Sequence, residues 1–463
     1  MAKLETIFEC QECGSSHPRW QGQCTQCQAW NSLVEMTQEK LKKSSTFNPT
    51  KKSKATPLAQ VEISEHHSIK TDISELDHVL GNGFVKGSVT LIGGEPGIGK
   101  STLSLQLAIQ LAKTGQKVLY ITAEESETQI LLRSKRLGTV PPSLLVLADT
   151  NMLNCLEQCN SLNADVVILD SIQTVSHPDL SATSGSVSQV KYCAAQLIAW
   201  TKSSNAISIL IGHITKDGMI AGPKILEHMV DVILYVEGER NQRYRLLRSY
   251  KNRYFHTDEI GIFQMEECGL VPVDQASELF IEASSLKNPG TAVSAIIEGS
   301  RAFLVEVQAL VVETGYGMAK RNFLGVNANR ANLVIAGIEK ILGKKLFSKD
   351  MFLNIIGGLK VDEPACDLAI LMAIISSNED LRFKRRVAFI GEIGLSGEIR
   401  SVPLIAKRLN ECEKMGFEAC FIPKTNAKNC PELKQLSVIP VSDLRDLMAS
   451  VVKEFQSEHL VQT

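Results

Sequence analysis

The sequence predicts an α/β protein of three parts, with a cysteine-rich module before its main domain and an α+β domain after it. Three observations support this division. A glycine-rich loop stands between a β-branched strand and an amphipathic helix, two C-x-x-C pairs lie near the N-terminus, and new apolar strands and helices begin at about residue 282. With 463 residues, the chain is long enough for two or three separate cores.

The composition is that of an ordinary globular protein without a membrane span. Hydrophobic residues make up 44% of the chain and charged residues 22%, which is typical of globular domains. No apolar run approaches the roughly 18 residues that a bilayer crossing needs. The first residues lack an apolar signal segment, so a cytoplasmic location is expected. The net charge of −2 provides no global attraction for nucleic acid, so such binding must come from local patches.

The N-terminal module contains two C-x-x-C pairs, Cys10 with Cys13 and Cys24 with Cys27. A cytosolic chain keeps its thiols reduced, and two such pairs supply four thiolates for a tetrahedral zinc ion. Four unrelated buried cysteines are the alternative, which the paired spacing disfavours. We therefore expect a closed, structural Zn²⁺ site. His17 could be a spare ligand, but with four cysteines present we expect it at the surface.

A flexible basic linker, residues 37–57, is expected to follow the module, residues 1–36. Its sequence, TQEKLKKSSTFNPTKKSKATP, contains six lysines and few apolar residues, so it cannot build a core. The lysines suit phosphate contacts, but a solvated tether explains them equally well. The main domain is then expected at 58–281 and the last domain at 282–463.

The stretch GGEPGIGKST matches the phosphate-binding loop G-x-x-x-x-G-K-[ST] in its strand–loop–helix context. Its glycines allow backbone N–H groups to face phosphate oxygens, and the N-terminus of the following helix adds a favourable dipole. Lys100 should reach the β- and γ-phosphates of ATP, and Ser101 should bind Mg²⁺. The expected nucleotide contacts are Gly94, Glu95, Pro96, Gly97, Ile98, Gly99, Lys100, Ser101 and Thr102.

The carboxylates that an ATPase needs follow two other apolar segments. The strand in ADVVILDSIQTV ends in Asp170, which is expected to bind Mg²⁺ at the carboxyl edge of a parallel sheet; a simple strand-end cap is the alternative. The segment KVLYITAEES ends in Glu124 and Glu125, and adjacent side chains on a strand point in different directions. We favour Glu124 as the base that activates water. Ser126 with Gln129 should cap the next helix.

Two further segments are expected to emerge from the same sheet edge. The strand in SILIGHITKDGMIAGP is followed by His213, Thr215 and Lys216, where a γ-phosphate sensor and a satisfied strand-end histidine fit almost equally well. The loops 173–186 and 214–223 are rich in small and polar residues and are expected to be mobile. They suit either contact with a polymer or a lid over a nucleotide.

Taken in order, the cysteine pairs, the phosphate loop and the segments LDSIQT, GHITKDGMIAGPKILEHMVD and KNRYFHTDEIGIF resemble the RadA (Sms) family of bacterial DNA repair proteins. The resemblance covers essentially the whole chain. It implies a RecA-like ATPase core that assembles into a homo-oligomer, a hexameric ring, with ATP bound between adjacent subunits. It also implies single-stranded and branched DNA and a RecA-type recombinase as partners, and branch migration of strand-exchange intermediates as the activity.

The family signature Lys-Asn-Arg-Phe-Gly corresponds to residues 251–255. Lys251 and Arg253 are retained, and the resemblance implies that such cations from a neighbouring subunit stabilise charge on the γ-phosphate or contact DNA phosphate. An ordinary basic strand end is the alternative. Tyr254 and Phe255 replace the family's Phe-Gly, so the conformation of this turn is open, because glycine has a backbone freedom that phenylalanine lacks.

The resemblance also implies a Lon-protease-like last domain. Ala365 stands where the proteolytic relatives carry their serine, and the position of the activating lysine falls on Ala406 or Lys407. Cys366 comes one residue late, which at a helix start turns it about 100° away. Because covalent catalysis needs both a nucleophile and its activator, we expect no peptidase activity and a packing role for Cys366.

Basic residues of the last domain are candidates for contact with a DNA backbone. Most of them are expected to be ordinary solvated charges. The candidates are Arg301, Lys320, Arg321, Arg330, Lys344, Lys345, Lys384, Arg385 and Arg386.

The leading hypothesis is therefore a DNA-dependent ATPase that acts as a ring-shaped motor on recombination intermediates. An ATP-dependent protease or unfoldase is one alternative, which Ala365 disfavours. A nucleotide-gated DNA clamp that does not move is another, and the sequence does not distinguish it from a motor.

Overall fold

In the computed structural model, the chain forms two compact units, Met1–Val273 and Asp274–Thr463. The described residues are 5–10, 15–26, 28, 30–38, 57, 68–180, 182–212, 225–238, 244–257, 259–273, 275–282, 285–315, 319–358 and 360–455. Within these ranges no helix combines the length and the apolar character that a bilayer crossing requires.

The N-terminal module is a small antiparallel sheet in the order β2-β1-β3. Its strands are β1 (Glu5–Cys10), β2 (Ser16–His17) and β3 (Leu33–Gln38). A very small core forms between them from Cys10, Cys24 and Leu33, with Phe8 packed against it. Small modules of this size usually depend on a metal or on disulfides for stability.

The rest of the first unit alternates strands and helices. Its elements are β4 (Ser68–Ile69), α1 (Ser74–Leu80), β5 (Phe84–Val85), β6 (Val89–Gly94), α2 (Lys100–Lys113), β7 (Val118–Thr122), α3 (Glu127–Leu137), β8 (Leu144–Ala148), α4 (Met152–Leu162), β9 (Val166–Asp170), α5 (Val187–Ser204), β10 (Ile207–Ile211), α6 (Ile225–Met229), β11 (Val232–Glu237), β12 (Tyr244–Asn252), β13 (Ile260–Glu266) and β14 (Gly269–Pro272).

A nine-stranded sheet in the order β14-β13-β12-β11-β6-β10-β9-β7-β8 organises this unit. The strands from β11 to β8 are parallel, and β12, β13 and β14 are antiparallel. The central strands are buried along their whole length, because separate hydrophobic clusters cover the two faces of the sheet. Continuous apolar runs are what parallel strands covered on both faces require.

Helix α3 begins where the sequence predicts. The Ser126 side chain accepts a hydrogen bond from the Gln129 backbone N–H, and the Gln129 side chain accepts one from the Ser126 N–H. This reciprocal capping box satisfies two backbone donors that the first turn would otherwise leave without partners. The predicted cap is confirmed.

The second unit is an α+β domain built on a seven-stranded sheet in the order β17-β18-β16-β15-β19-β22-β23. Its elements are α7 (Ala276–Leu279), β15 (Thr291–Glu298), β16 (Arg301–Glu313), β17 (Arg321–Leu324), α8 (Ala328–Leu342), β18 (Lys349–Ile355), α9 (Asp367–Asn378), β19 (Val387–Phe389), β20 (Glu392–Ile393), β21 (Ile399–Arg400), α10 (Ile405–Lys414), β22 (Ala419–Pro423), β23 (Ser437–Val441) and α11 (Leu444–Val451).

The division between the units falls at residue 273, whereas the sequence analysis placed the domain boundary at 281. Helix α7 explains the difference, because it packs within the second unit. The Ser277 hydroxyl donates to the Glu411 carboxylate at 2.6 Å and accepts from the Leu304 N–H at 3.1 Å, and Phe280 is buried. These contacts join residues far apart in sequence, so the local composition does not reveal them.

A buried ion pair lies in the core of the second unit. The Arg408 side chain is completely buried, and its guanidinium donates to the Glu363 carboxylate and to the carbonyls of Ala295 and Pro403. The Glu363 carboxylate also accepts from the Ile297 N–H at 2.8 Å. Removal of Arg408 leaves the Glu363 carboxylate, whose side chain is only 23% exposed, without its cationic partner, and breaking a largely buried pair in this way is destabilising.

We expect Arg408→Met to lower the free energy of unfolding of the second unit by about 3–5 kcal/mol. Denaturant unfolding of the full chain, followed by a probe of the second unit, measures this change. Lys407→Met is the matched control, because Lys407 is exposed and its loss should leave stability nearly unchanged. The double variant Arg408→Met with Glu363→Gln should regain most of the loss, and equal destabilisation by both lysine and arginine variants would contradict the argument.

Candidate nucleotide site

The phosphate loop joins β6 to α2 at the carboxyl edge of the parallel strands. Gly94, Gly97 and Gly99 have φ angles of 156°, 80° and 114°, and the last two lie in the left-handed region that favours glycine. A Cβ atom on Gly94 would lie 2.7 Å from the carbonyl oxygen of Val236. The shape of the loop therefore needs glycine both for its backbone angles and for the close approach of β11.

Lys100, the first residue of α2, turns back into this loop. Its ammonium donates to the carbonyl oxygens of Gly94 at 2.8 Å and Glu95 at 2.9 Å. Burial lowers the pKa of Lys100 to about 8, although the nearby carboxylates of Asp170, Glu124 and Glu95 oppose that shift. The lysine thus stands among the carboxylates that the sequence assigned to the same site.

Asp170 is the last residue of β9 and is buried beside α2. Its carboxylate accepts a hydrogen bond from the Tyr120 hydroxyl at 2.8 Å, and that hydroxyl lies 3.1 Å from the Ser104 hydroxyl on α2. Burial and the Asp170 charge raise the pKa of Tyr120 well above its usual value, so the phenol stays a proton donor. Tyr120 is a site residue that the sequence analysis missed, because a tyrosine inside an apolar strand looks like a core residue.

Glu124 and Glu125 follow the end of β7 at Thr122 rather than lying on the strand, and their side chains have different partners. The Glu124 carboxylate accepts from the Ser171 hydroxyl at 2.6 Å, next to Asp170. Both oxygens of the Glu125 carboxylate meet the Arg133 guanidinium, at 3.0 and 2.9 Å. Glu125 is therefore engaged with helix α3, whereas Glu124 faces the carboxyl edge of β9.

Arg245 on β12 also contacts the phosphate loop and was not singled out from the sequence. Its Nε donates to the carbonyl oxygen of Ile98 at 3.0 Å, and its Nη1 donates to the carbonyl of Tyr244. Burial lowers the pKa of Arg245. Several arginines lie in this stretch of sequence, and the register of β12 places Arg245 beside the loop.

Lys251 and Arg253 lie at the opposite edge of the sheet from the phosphate loop. In the parallel pairing of β6 with β11, Gly94 lies beside Val236, whereas β12 returns antiparallel and brings Asn252 beside Val232. The strand between Val232 and Val236 spans about 13 Å. One chain therefore does not bring these cations together with its own Lys100.

Both cations have partners within the chain at this second edge. The Lys251 ammonium donates to the carbonyls of Glu227 at 2.6 Å and Val230 at 2.8 Å, and its pKa is lowered by burial and by the Arg253 charge. Arg253 pairs with Asp231 at 3.2 Å, and 54% of its side chain remains exposed. Arg253 is thus held at its base with much of its side chain open to solvent.

Asp231 connects this second edge with the strand that carries the phosphate loop. Its buried carboxylate accepts from the Val89 N–H at 3.0 Å, at the start of β6, and pairs with Lys202 at 2.7 Å. It also binds Arg253. The residue is the final aspartate of GHITKDGMIAGPKILEHMVD, and its bonds show why an acidic residue is suited to that position.

The turn after Lys251 accommodates its two aromatic residues. The Asn252 side-chain oxygen accepts from the backbone N–H groups of Tyr254 at 2.9 Å and Phe255 at 3.1 Å. The Phe255 ring lies against Gly81, where an added Cβ atom would clash with it. Asn252 therefore fixes the backbone of the turn by hydrogen bonds. Phe255, which stands where the family signature has glycine, packs its ring against Gly81.

Loop 173–186, which we expected to be mobile, is bonded to helix α5. The Gln189 amide donates to the carbonyls of His177, Leu180 and Ala182 at 3.0–3.3 Å. The other loop, residues 214–223, and the candidate sensors His213, Thr215 and Lys216 lie outside the described residues.

The N-terminal module brings one cysteine of each pair into one core. Cys10 and Cys24 are both fully buried beside Leu33, so two thiols from different C-x-x-C pairs share a small enclosed space. Cys13 and Cys27 lie outside the described residues. Two thiols from different C-x-x-C pairs in one buried cluster fit a tetrahedral zinc site, and bound zinc would add to the folding stability of the module.

The expectation that His17 lies at the surface is wrong. The His17 side chain is buried, and its Nε2 lies 2.9 Å from the Ser15 hydroxyl and 3.5 Å from the Cys24 sulfur. Strand β2 pairs with β1 and places His17 beside the cysteine core, which sequence spacing alone does not indicate.

The second unit lacks the components of a peptidase at the turn where the proteolytic relatives carry them. Ala365 is buried and has no nucleophilic atom, and burial raises the pKa of the neighbouring Cys366 thiol to about 12. The Lys407 side chain is exposed and donates to the Ser300 carbonyl at 2.7 Å rather than contacting Ala365 or Cys366. Arg408, rather than the expected Ala406 or Lys407, reaches the interior near this turn.

At least six of the candidate DNA-contacting residues in this unit already have side-chain partners. Arg321 donates to the Asn332 side chain at 3.1 Å, and Lys384 donates to the Lys453 carbonyl at 3.2 Å. Four others are bound to carboxylates or lie over an aromatic ring. Arg330 binds both oxygens of Asp367 at 2.7 Å, and Arg385 binds both oxygens of Glu454 at 2.7 Å. Lys344 pairs with Glu379, and Arg386 lies over the Phe417 ring. These contacts favour structural roles for the four residues.

Comparison with known proteins accounts for each part of the chain. Residues 69–142 match a family model for the KaiC ATPase, residues 8–35 match a model described as a rubredoxin metal-binding domain, and residues 329–426 match a model for subunit ChlI of Mg-chelatase. The crystal structure of a KaiC-like protein from Pyrococcus horikoshii aligns with 44% of this chain and 98% of its own, at 19% identity and a TM-score of 0.39, which is too distant to support an argument.

Full-length relatives are much closer. The DNA repair protein RadA of Listeria monocytogenes is 44% identical over 98% of this chain and 99% of its own length. The proteins of the same name from Bacillus subtilis and Streptococcus pyogenes are also 44% identical, over 97% of this chain and 99–100% of their own lengths.

These findings confirm the predicted fold class. A zinc-ribbon module precedes a RecA-type ATPase core, and the α+β second unit is consistent with the Lon-protease-like domain of the same family. With 44% identity over nearly its whole length, the chain belongs to the RadA family of DNA repair proteins.

Proposed function

We propose that the protein is a DNA-dependent ATPase of recombinational repair, acting in the cytoplasm as a hexameric ring that moves along single-stranded DNA. Its substrates would be branched strand-exchange intermediates made by a RecA-type recombinase, and its action would be branch migration. The family relationship supports the ATPase and the repair role. The ring, the motion and the recombinase are the further content of the proposal.

The separation of the two sheet edges is the observation that carries this proposal. Lys100, Glu124 and Asp170 gather at one edge, and Lys251 with Arg253 lie at the other. If these cations serve ATP hydrolysis, they must serve the site of another copy, because their own lies beyond the strand. A head-to-tail arrangement of copies brings opposite edges together, and it closes into a ring when the rotation allows.

Each residue has a role that its position supports. The loop amides would bind the phosphates, and Lys100 would neutralise the β- and γ-phosphate charge. Ser101 and Asp170 would hold Mg²⁺, which when bound supplies positive charge to the phosphate oxygens. Glu124 would accept a proton from the attacking water. Thr102 would add a polar contact at the start of α2.

Lys251 and Arg253 would stabilise the negative charge that develops on the γ-phosphate of a neighbouring copy. The bond to Asp231 supports this role for Arg253, because it fixes the start of the side chain and leaves the guanidinium partly exposed. Cations that are positioned in advance stabilise a transition state without the cost of reorganisation. Hydrolysis would then be sensitive to how the copies contact each other, and so to DNA that they surround.

A mixing experiment tests whether the site is shared. We expect Lys100→Ala and Arg253→Ala each to lower ATP turnover on single-stranded DNA by about 100-fold or more. Mixed in equal amounts and allowed to exchange subunits, the two variants should regain about one quarter of wild-type turnover, since one in four random interfaces pairs an intact loop with an intact arginine. Steady-state ATPase assays measure this recovery.

The control is each variant mixed with an equal amount of itself, which should show no recovery. Light scattering and tagged pull-down would show whether mixed assemblies form. Mixed assemblies that stay inactive would contradict a shared site.

Branch migration of a labelled three-stranded substrate distinguishes a motor from a clamp, because a clamp binds this DNA at low salt without converting it. Binding should weaken steeply with salt, since phosphate contacts release counterions.

Glu124 and Glu125 provide a matched pair for the choice of base. Glu124→Gln should lower ATP turnover by about 100-fold or more with little change in ATP affinity, because the amide cannot take a proton from water. Glu125→Gln should leave turnover within about twofold, because its carboxylate is already bound to Arg133 and contributes at most modestly to stability. Single-turnover kinetics would show the assignment to be wrong if the losses were reversed.

The depressed pKa of Lys100 predicts a pH dependence of ATP binding. Because the triphosphate favours the charged ammonium, affinity should be constant below the pKa of about 8 and fall by about tenfold per pH unit above it. Titration calorimetry between pH 7 and 9.5 measures the slope. Lys100→Arg is the control, because a guanidinium stays protonated, so any affinity that it retains should not vary over this range; an equal slope in both proteins would refute the explanation.

A further inference from the structure

The N-terminal module exposes two tryptophans. Trp20 is 58% exposed and Trp30 is 71% exposed, although tryptophan is highly buried on average in folded proteins. Neither side chain belongs to the module's core, which consists of Cys10, Cys24 and Leu33 with Phe8. A structural role in the core therefore does not account for them.

Trp30 lies against the segment that carries Trp20. The Trp30 ring lies 3.7 Å from the position that a Cβ atom on Gly22 would occupy, and the Asn31 N–H donates to the Gly22 carbonyl at 2.8 Å. Gln23 and Trp30 form an isolated antiparallel bridge. Trp20 is two residues before Gly22 on the same segment. We call Trp20, Gly22 and Trp30 the tryptophan face.

Polar, uncharged side chains surround the tryptophan face. Glutamines at 21, 23, 26 and 28 and Asn31 lie in the same stretch, and between Pro18 and Asn31 the one charged residue is Arg19. Arg19 is exposed next to Trp20. Exposed flat aromatic rings among uncharged amide groups suit the stacking and hydrogen bonding of unpaired bases.

We propose that the tryptophan face is a base-stacking site for single-stranded DNA, with Arg19 beside it to contact a phosphate. This inference rests on the proposed function, and it assigns to the N-terminal module a direct contact with the DNA strand. Stacking on an indole accepts any base, because every base has a π-face. The site would hold the strand without selecting its sequence.

Tryptophan fluorescence tests the proposal directly. The chain has three tryptophans, and the third, Trp200, is only 2% exposed, with its indole N–H bonded to Asn160 at 2.8 Å. Added twenty-nucleotide oligothymidylate should therefore quench only Trp20 and Trp30. Trp20→Phe and Trp30→Phe should each lose part of the quenching, and the double variant should lose nearly all of it.

An abasic oligonucleotide of equal length separates stacking from charge. It carries the same phosphates without bases, so it should bind more weakly and cause little quenching. In anisotropy assays with labelled oligothymidylate, Trp20→Ala and Trp30→Ala should each weaken binding by about tenfold. This loss should be nearly the same at low and high salt, because it does not involve released counterions.

Arg19→Ala is the matched comparison, since its loss should shrink as salt rises. Zinc content measured by mass spectrometry should be unchanged in every variant, which separates lost stacking from an unfolded module; the phenylalanine variants provide the fluorescence result if an alanine variant fails this control.

Two results would overturn the proposal. The wild-type protein could bind and be stimulated by single-stranded DNA without quenching, in which case the tryptophan face serves another partner, such as a protein groove, and the proposed function stands. Alternatively, the wild-type protein could fail to bind single-stranded DNA by anisotropy, in which case the proposed function fails as well.

Discussion

The parallel pairing of β6 with β10 on one side and β11 on the other is the constraint on which the candidate site depends. It brings the carboxyl ends of neighbouring strands to one edge, where the phosphate loop, Asp170 and Glu124 meet. Backbone N–H groups and carboxylates from distant parts of the sequence therefore face one small volume. No local interaction could assemble them, because each comes from a different strand–helix repeat.

The same sheet also explains why Lys251 and Arg253 are far from the phosphate loop of their own chain. Strand β12 is antiparallel to β11, so its end, with Lys251 and Arg253, lies at the edge where β6 begins. Asp231 sits at that edge and binds both the first amide of β6 and Arg253. Strand β6 thus begins beside the arginine that Asp231 binds and ends at the phosphate loop, so the two sets of residues lie at opposite edges of the sheet.

The second unit keeps a compact core at the position where a peptidase would carry its nucleophile. Cys366 is enclosed, and the buried Arg408 guanidinium pairs with Glu363 and donates to the carbonyls of Ala295 and Pro403. A fully bonded ion pair of this kind holds β15 and α10 in a fixed relation, whereas a catalytic dyad requires an accessible, reactive atom.

The sequence by itself determined the fold class, the phosphate loop and the cysteine pairs, because short motifs and continuous apolar strands carry their own physical signature. Ser126 with Gln129 was predictable for the same reason, since a capping box is local. The tertiary structure decided what depends on register and burial. Tyr120 bonded to Asp170, Arg245 beside Ile98, the buried His17 and the interior Arg408 each depend on which neighbouring strand or helix lies opposite. Contacts between residues far apart along the chain are set by how elements pair and pack, and that information is not present in any single segment of the sequence.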